Sequence, residues 1–271
     1  MLRLAVRVQR DQAELVLAEL LELAPSGLEE VALGDTVVEY AVYGAPGELP
    51  SLPELKAAAA GALVEVSTTQ VADDWAERWR SFHKPVTIAR TLTVRAPWTD
   101  PAQTPVDLVI DPGQAFGTGS HPTTQLCLEV MLGLPSEGSF LDLGCGSGVL
   151  AIAAATLGWG PVMALDNESA SIEAAAENVR RNSVQVEVLR GDLRRDAMPQ
   201  ARTVAANLLA PLLLDYARQL GPVPERLIAG GLLTTECEKV SGAFAARGLL
   251  ESERRQSGEW AAILFARSDR G

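Results

Sequence analysis

The stretch 140–166 constrains this chain more than any other. It reads FLDLGCGSG, then an alanine-rich run, VLAIAAATLGWG, and then VMALD. A short apolar strand ends in Asp142, and Gly144, Gly146 and Gly148 follow at alternate positions. An amphipathic helix and a second apolar strand, closing on Asp166, complete the unit. Alternating glycines let a backbone turn sharply and approach a ligand with no Cβ in the way. The helix then aims its N-terminus at that ligand, and an acid about 20 residues past the loop is placed for ribose hydroxyls. This is the pattern of a nucleotide-binding βαβ unit.

The dinucleotide fingerprint is G-x-G-x-x-G, whose third glycine allows close packing beneath a pyrophosphate. Here the pattern is G-x-G-x-G, and Val149 stands where that last glycine would be. Asp142, just ahead of the loop, would repel a pyrophosphate but suits a ligand carrying an amino group and a sulfonium. D-L-G-C-G-S-G resembles the first motif of class I S-adenosylmethionine-dependent methyltransferases. Read without that resemblance, it is an ordinary glycine-rich βα turn.

Composition narrows the field. A chain of 271 residues suggests one or two domains, and an apolar fraction of 47% is ample for a core. No apolar run approaches the ~18 residues of a membrane span. The first residues, MLRLAVRVQRD, alternate and carry charge, unlike a signal peptide. Cys127, Cys145 and Cys237 are odd in number and widely spaced, which fits neither a disulfide framework nor a metal cluster and suggests a reducing cytoplasm. Only His83 and His121 are present, so no metal site rich in histidine is expected. The net charge of −12 argues against a nucleic-acid groove and favours a basic partner, although many proteins are simply acidic.

The pattern of elements divides the chain in three. Residues 1–68 read as β-α-β-β-α-β, the ferredoxin-like α+β order. Strands are expected over 2–8, 28–33, 37–43 and 63–67, with a hairpin at Gly34-Asp35 and helices over 12–23, capped by Asp11, and 54–60. Residues 69–85 read as a linker helix with Trp75 and Trp79 on one face, stopped by Pro85. Residues 86–271 alternate strands and helices as a doubly wound, mostly parallel α/β sheet. Its last strand, 261–266, follows 248–259 without an obvious helix and is expected to run antiparallel.

Two further motifs carry chemistry. DPGQAFGTGSHPTT, 111–124, packs glycine and proline breakers before a helix running to Met131. Thr123 and Thr124 at its start can cap the helix or donate to a ligand carboxylate. Phe116 could cover an adenine or a substrate side chain; a flexible loop before a capped helix is the plainer reading. ANLLAP, 206–211, follows a strand where class I methyltransferases carry the motif nearest the transferred methyl. DNA adenine and protein glutamine enzymes place N-P-P-Y there. Asn207 is kept, but Leu208 and Leu209 replace the prolines and Ala210 the aromatic, which disfavours a planar amide target. Asn207 could also be no more than a residue of the strand-end turn.

Together with ALDNES and the tryptophan-rich connector, these motifs resemble one family, the methyltransferase that modifies large-subunit ribosomal protein eleven. The resemblance runs from Asp73 to Trp260. One departure is Ala229-Gly230-Gly231, where relatives carry a Ser-Gly-Ile-Leu run. The resemblance implies a class I methyltransferase domain, S-adenosylmethionine as cofactor, and cofactor contacts at Thr124, Gly144, Asp166 and Asn207. It implies methylation of lysine side chains and the N-terminal amine of a basic ribosomal protein in the cytoplasm. Residues 1–68, where the resemblance is weakest, carry no chemical motif and read either as a packing domain or, more sharply, as the substrate-recognition domain. The residues suit those roles. Asp166 can take two ribose hydroxyls, Gly144 opens the backbone to the methionine part, and Asn207 can bridge cofactor and amine as the catalytic residue. Asp192 in R-G-D-L could reach an adenine amino group or serve only as a turn acid. No side chain stands out as a general base. An RNA or small-molecule methyltransferase and an inactive binding module are the rival readings.

Overall fold

The computed structural model describes residues 2–13, 16–17, 20, 29–33, 36–44, 49–50, 55, 59–70, 83–112 and 119–268. Two compact units divide the chain, Met1–Phe82 and His83–Gly271.

In the first unit, β1 (Leu2–Gln9), β2 (Glu29–Leu33), β3 (Val37–Gly44) and β4 (Leu63–Gln70) form an antiparallel sheet ordered β2-β3-β1-β4. This is the order the ferredoxin-like arrangement requires. The alternation of LRLAVRVQ sends Leu4, Val6 and Val8 to one face, where they pack with Val16, Leu20, Leu55 and Ala59. Arg3 and Arg7 point to the other face and grip Glu39 at 2.5 and 2.7 Å. Glu39 is only 5% exposed, so its charge is tolerated because two guanidinium groups hydrogen-bond it. Asp11 lies within a short 3₁₀ turn, Arg10–Gln12. The expected helices at 12–23 and 54–60 and the Gly34-Asp35 turn fall largely outside the described residues. β4 runs on to Gln70, and residues 71–82, with both linker tryptophans, lie outside them as well.

The second unit opens with a three-stranded sheet, β5 (Val86–Ile88), β6 (Leu92–Arg95) and β7 (Val106–Val109), which its short, mixed sequence did not announce. Then come α1 (Pro122–Leu132), β8 (Phe140–Leu143), α2 (Val149–Leu157), β9 (Val162–Asp166), α3 (Ser169–Asn182), β10 (Glu187–Arg190), β11 (Thr203–Asn207), α4 (Ala210–Gln219), β12 (Arg226–Leu233), α5 (Cys237–Ala245), β13 (Leu249–Ser257) and β14 (Trp260–Arg267). Seven of these strands form one sheet ordered β10-β9-β8-β11-β12-β14-β13. The first five are parallel, while β14 runs antiparallel to both β12 and β13. The expectation of an antiparallel last strand holds, but 249–257 forms a strand of its own rather than a connection.

Alternate strand residues feed two apolar layers. Ala205 and Ile228 face a layer with Leu126, Leu128 and Ile152, whereas Val204, Ala206, Leu227 and Ala229 face one with Leu213, Tyr216 and Phe244. Both faces of the central strands are thus covered, which is why FLDL is buried at every position. The topological switch point falls between β8 and β11, whose following helices leave on opposite faces, and ligands bind at the carboxyl ends of strands flanking such a point. No helix among the described residues is long and apolar enough to cross a membrane.

One turn carries strain. Ala89 and Arg90 link β5 to β6 with φ of 49° and 56°, and Thr91 N–H closes the turn on Ile88 O at 3.0 Å. Two successive left-handed residues form the hairpin turn that usually holds asparagine and glycine. An L-residue there costs roughly 1–2 kcal/mol. Arg90→Gly is therefore expected to raise stability by about 0.5–1 kcal/mol, the strain relieved exceeding the entropy glycine adds to the unfolded chain. An upward shift of the urea midpoint would register it; an unchanged or lower midpoint would show that Arg90 is not strained.

Candidate active site

The carboxyl ends of β8, β9, β11 and β12 bring the sequence-predicted residues to one place. The loop after β8 begins with Gly144 at φ 74°, and its N–H and that of Cys145 donate to Leu165 O at 2.8 and 3.0 Å. A Cβ on Gly144 would stand 2.3 Å from Leu208 Cδ2, so any side chain at 144, already strained by the positive φ, would force the Leu208 side chain to move. Gly231, at φ 74°, faces the same turn from β12; a Cβ there would come within 2.4 Å of Leu208 O. Leu208 is thus fitted between two glycines.

Asn207 ends β11 beside Gly230 of β12. Its Nδ2 donates to Thr124 Oγ1 at 3.1 Å, and Thr124 is fully buried in the first turn of α1. Its Oδ1 is buried and has no hydrogen-bond partner among the described residues. A buried acceptor without a donor costs about 1–3 kcal/mol, so such an atom calls for a ligand donor. The two threonines do not cap α1. His121 does, its Nδ1 accepting from Thr123 N–H at 3.3 Å, with Pro122 in the first turn. The His121 ring lies edge-on to Trp260 at 4.8 Å, and burial holds its pKa below the ordinary histidine value.

Asp166 closes β9, as its spacing suggested. Its Oδ2 accepts from Gly146 N–H and its Oδ1 from Glu168 N–H, both at 3.0 Å. A carboxylate has about four acceptor positions, so two stay open for hydroxyl donors. The acid therefore braces the glycine loop as well as facing a ligand, a double task its spacing did not reveal. Asp192 makes a turn contact, its Oδ1 accepting from Arg194 N–H at 2.8 Å. Residues 113–118, with Phe116 and Gly117, lie outside the described residues.

Asp142 is 1% exposed and accepts from Ala151 N–H of α2 at 3.0 Å. Burial, reinforced by Asp166, pushes its carboxyl up to about 7 against the Ala151 bond. The three cysteines are free and buried, and burial raises their thiols above the ordinary range, which disqualifies them as nucleophiles at neutral pH. Among the described residues no cluster of histidine, cysteine and carboxylate could hold a metal ion.

S-adenosylmethionine fits this donor set. An open carboxylate ends β9, a buried amide oxygen lacks a donor among the described residues, and a loop with glycine at every other position follows β8. The sheet order and the glycine loop at its switch point define the class I methyltransferase fold. The model of the ribosomal protein L11 methyltransferase (PrmA) family matches residues 6–268. The ribosomal protein L11 methyltransferase of Heliobacterium modesticaldum is 40% identical over 204 residues, 72% of this chain and 65% of that protein. That of Pelotomaculum thermopropionicum is 37% identical over 256 residues, 87% of this chain and 83% of that protein. A crystal structure of ribosomal protein L11 methylase from Lactobacillus delbrueckii subsp. bulgaricus superposes with a TM-score of 0.61 at 28% identity, covering 69% of this chain and 99% of that one. The chain belongs to the ribosomal protein L11 methyltransferase family.

Two variants test this geometry. Asp166→Ala should weaken cofactor binding by roughly 1.5–3 kcal/mol, the value of a charge-assisted hydrogen bond. Calorimetric titration returning wild-type affinity would remove Asp166 from the ligand. Asp142 gives a pH signature. Its folded pKa of about 7 lies above its unfolded value of 3.8, so the folded state holds the proton more tightly. Its contribution favours the fold at low pH and is lost as pH rises from about 4 to about 7. Thermal unfolding of the cofactor-free protein across that window should show Asp142→Asn flattening the decline. A slope identical to wild type would show that Asp142 does not titrate there. Surface carboxylates such as Glu177 and Glu225, lowered by arginine partners, act below about pH 4.5, and His121, held low by burial, contributes equally to both proteins, so the difference between the two slopes isolates Asp142.

Proposed function

We propose that this chain methylates amine groups, lysine side chains and the N-terminal amine, of ribosomal protein L11, with S-adenosylmethionine as donor. The observation that carries the reading is the Asn207 amide. One end is fixed on buried Thr124 and the other is an acceptor without a donor among the described residues. Family membership supports the same substrate. When bound, S-adenosylmethionine supplies an electrophilic methyl group.

The chain's own residues do the rest. Asp166 takes the ribose hydroxyls on its two open positions, and the loop from Gly144 receives the methionine part. Thr124 holds the Asn207 amide so that Oδ1 accepts an N–H of the incoming amine and fixes the direction of its lone pair. Such alignment can contribute several kcal/mol to lowering the barrier. A lysine amine, with a reference pKa near 10.4, must lose a proton before it attacks. Leu208, and Leu209 at 65% exposure, give the turn an apolar border that disfavours an ammonium over a neutral amine. The thiols are buried and no side chain is assigned as a dedicated base, so the proton passes to water. The net charge of −12 suits a basic protein partner, and residues 1–68 are the proposed recognition unit, acting in the cytoplasm.

Mass measurement of purified L11 after incubation with enzyme and S-adenosylmethionine should show added methyl groups. Methyl incorporation into ribosomal RNA alone would favour the nucleic-acid reading. Asn207→Ala should lower kcat about ten- to a hundredfold, the equivalent of a hydrogen bond to a charged group, and raise the cofactor dissociation constant less. Asn207→Gly, which keeps a turn but not an amide, should behave like the alanine variant. Near-normal turnover by the glycine variant would reduce Asn207 to a backbone device.

A further inference from the structure

Helix α3 carries two asparagines one turn apart, Asn178 and Asn182, and each ties the helix to a different backbone. Asn182 is bound to β7: its Oδ1 accepts from Val109 N–H at 2.8 Å and its Nδ2 donates to Val109 O at 2.7 Å. Asn178, one turn earlier, is 1% exposed. Its Oδ1 accepts from Asp111 N–H at 2.9 Å, where 111–124 begins, and its Nδ2 donates to Ser147 O at 3.0 Å, inside the glycine loop. Asparagine is a poor helix former because its amide competes for backbone partners. Here both amides reach strands and loops outside the helix, although Asn182 Nδ2 also donates to Asn178 O one turn back at 2.8 Å.

The glycine loop is thereby held from three sides. Leu165 O takes Gly144 and Cys145, Asp166 takes Gly146, and Asn178 takes Ser147. Asp166 reaches the loop from the side where the ribose is proposed to lie, while Asn178 reaches it from α3. Ser147 itself is fully buried, so its carbonyl has no route to solvent once the amide is removed.

We propose that Asn178 is a positioning residue for the cofactor: it sets the glycine loop against the start of the 111–124 segment, whereas Asn182 serves only to anchor β7. The inference rests on the cofactor reading given above. The two residues make a useful pair: truncation removes two hydrogen bonds at Asn178 and three at Asn182, whose Nδ2 also donates to Asn178 O at 2.8 Å, yet only Asn178 touches the loop.

The test is titration of full-length Asn178→Ala, Asn178→Asp and Asn182→Ala with S-adenosylhomocysteine, alongside their thermal midpoints. Both alanine variants should lose thermal stability. Asn178→Ala should raise the dissociation constant about tenfold, which is 1.4 kcal/mol, while Asn182→Ala stays within about twofold of wild type. Asn178→Asp keeps the acceptor for Asp111 but loses the donor to Ser147, so it should also bind weakly and serves if the alanine variant does not fold. Equal binding losses in Asn178→Ala and Asn182→Ala, or wild-type affinity in either Asn178 variant, would overturn the proposal. Failure of the wild-type protein itself to bind would instead overturn the cofactor reading.

Discussion

The turn after β11 works because Leu208 is wedged between two glycines. Gly144 yields to its side chain and Gly231 to its backbone. That fit fixes how far the glycine loop stands from β12. It also fixes the direction of Asn207, one residue earlier, toward Thr124. Three segments distant in sequence thus share one steric constraint, and the candidate chemistry sits on it. Close-packed interiors tolerate little adjustment at such a point, since a methyl group with no room must displace backbone.

Much of this was legible in the chain because the signals were local. The strand-loop-helix-strand order of 140–166 is dictated by glycine conformational freedom and apolar runs, and both survive into the structure. The long antiparallel β14 was readable because AAILFA is apolar and lacks a helix before it. What escaped had weaker local signatures. β13 reads LLESERRQS, a charged edge strand whose arginines pair with Glu251, Glu253, Glu129 and Glu238 rather than with an apolar face. Charge along an edge protects it from stray pairing but removes the alternation that would announce it.

The site was legible by residue type and less so by role. Asp166 and Asn207 were found by their place at strand ends, where functional groups of parallel sheets concentrate. That Asp166 also braces Gly146 follows from a bond spanning twenty positions, which spacing does not encode. The cap of α1 fell to His121 rather than to a threonine because Pro122 follows it and takes the first helical position. Asn178 and Asn182 did leave a trace, two poor helix formers at i and i+4 inside an otherwise favourable helix, a pattern that asks where their amides go.

The buried cysteines give the fold a built-in set of reporters. Cys127 lies in α1 against the Asn207 end of the sheet, Cys145 in the glycine loop, and Cys237 at the start of α5 on the opposite layer. None presents an accessible thiolate in the folded state, so a thiol reagent reaches each one only when its own surroundings open. Labelling rates at the three positions would therefore separate motion of the loop from breathing of either layer, without any residue being introduced for the purpose.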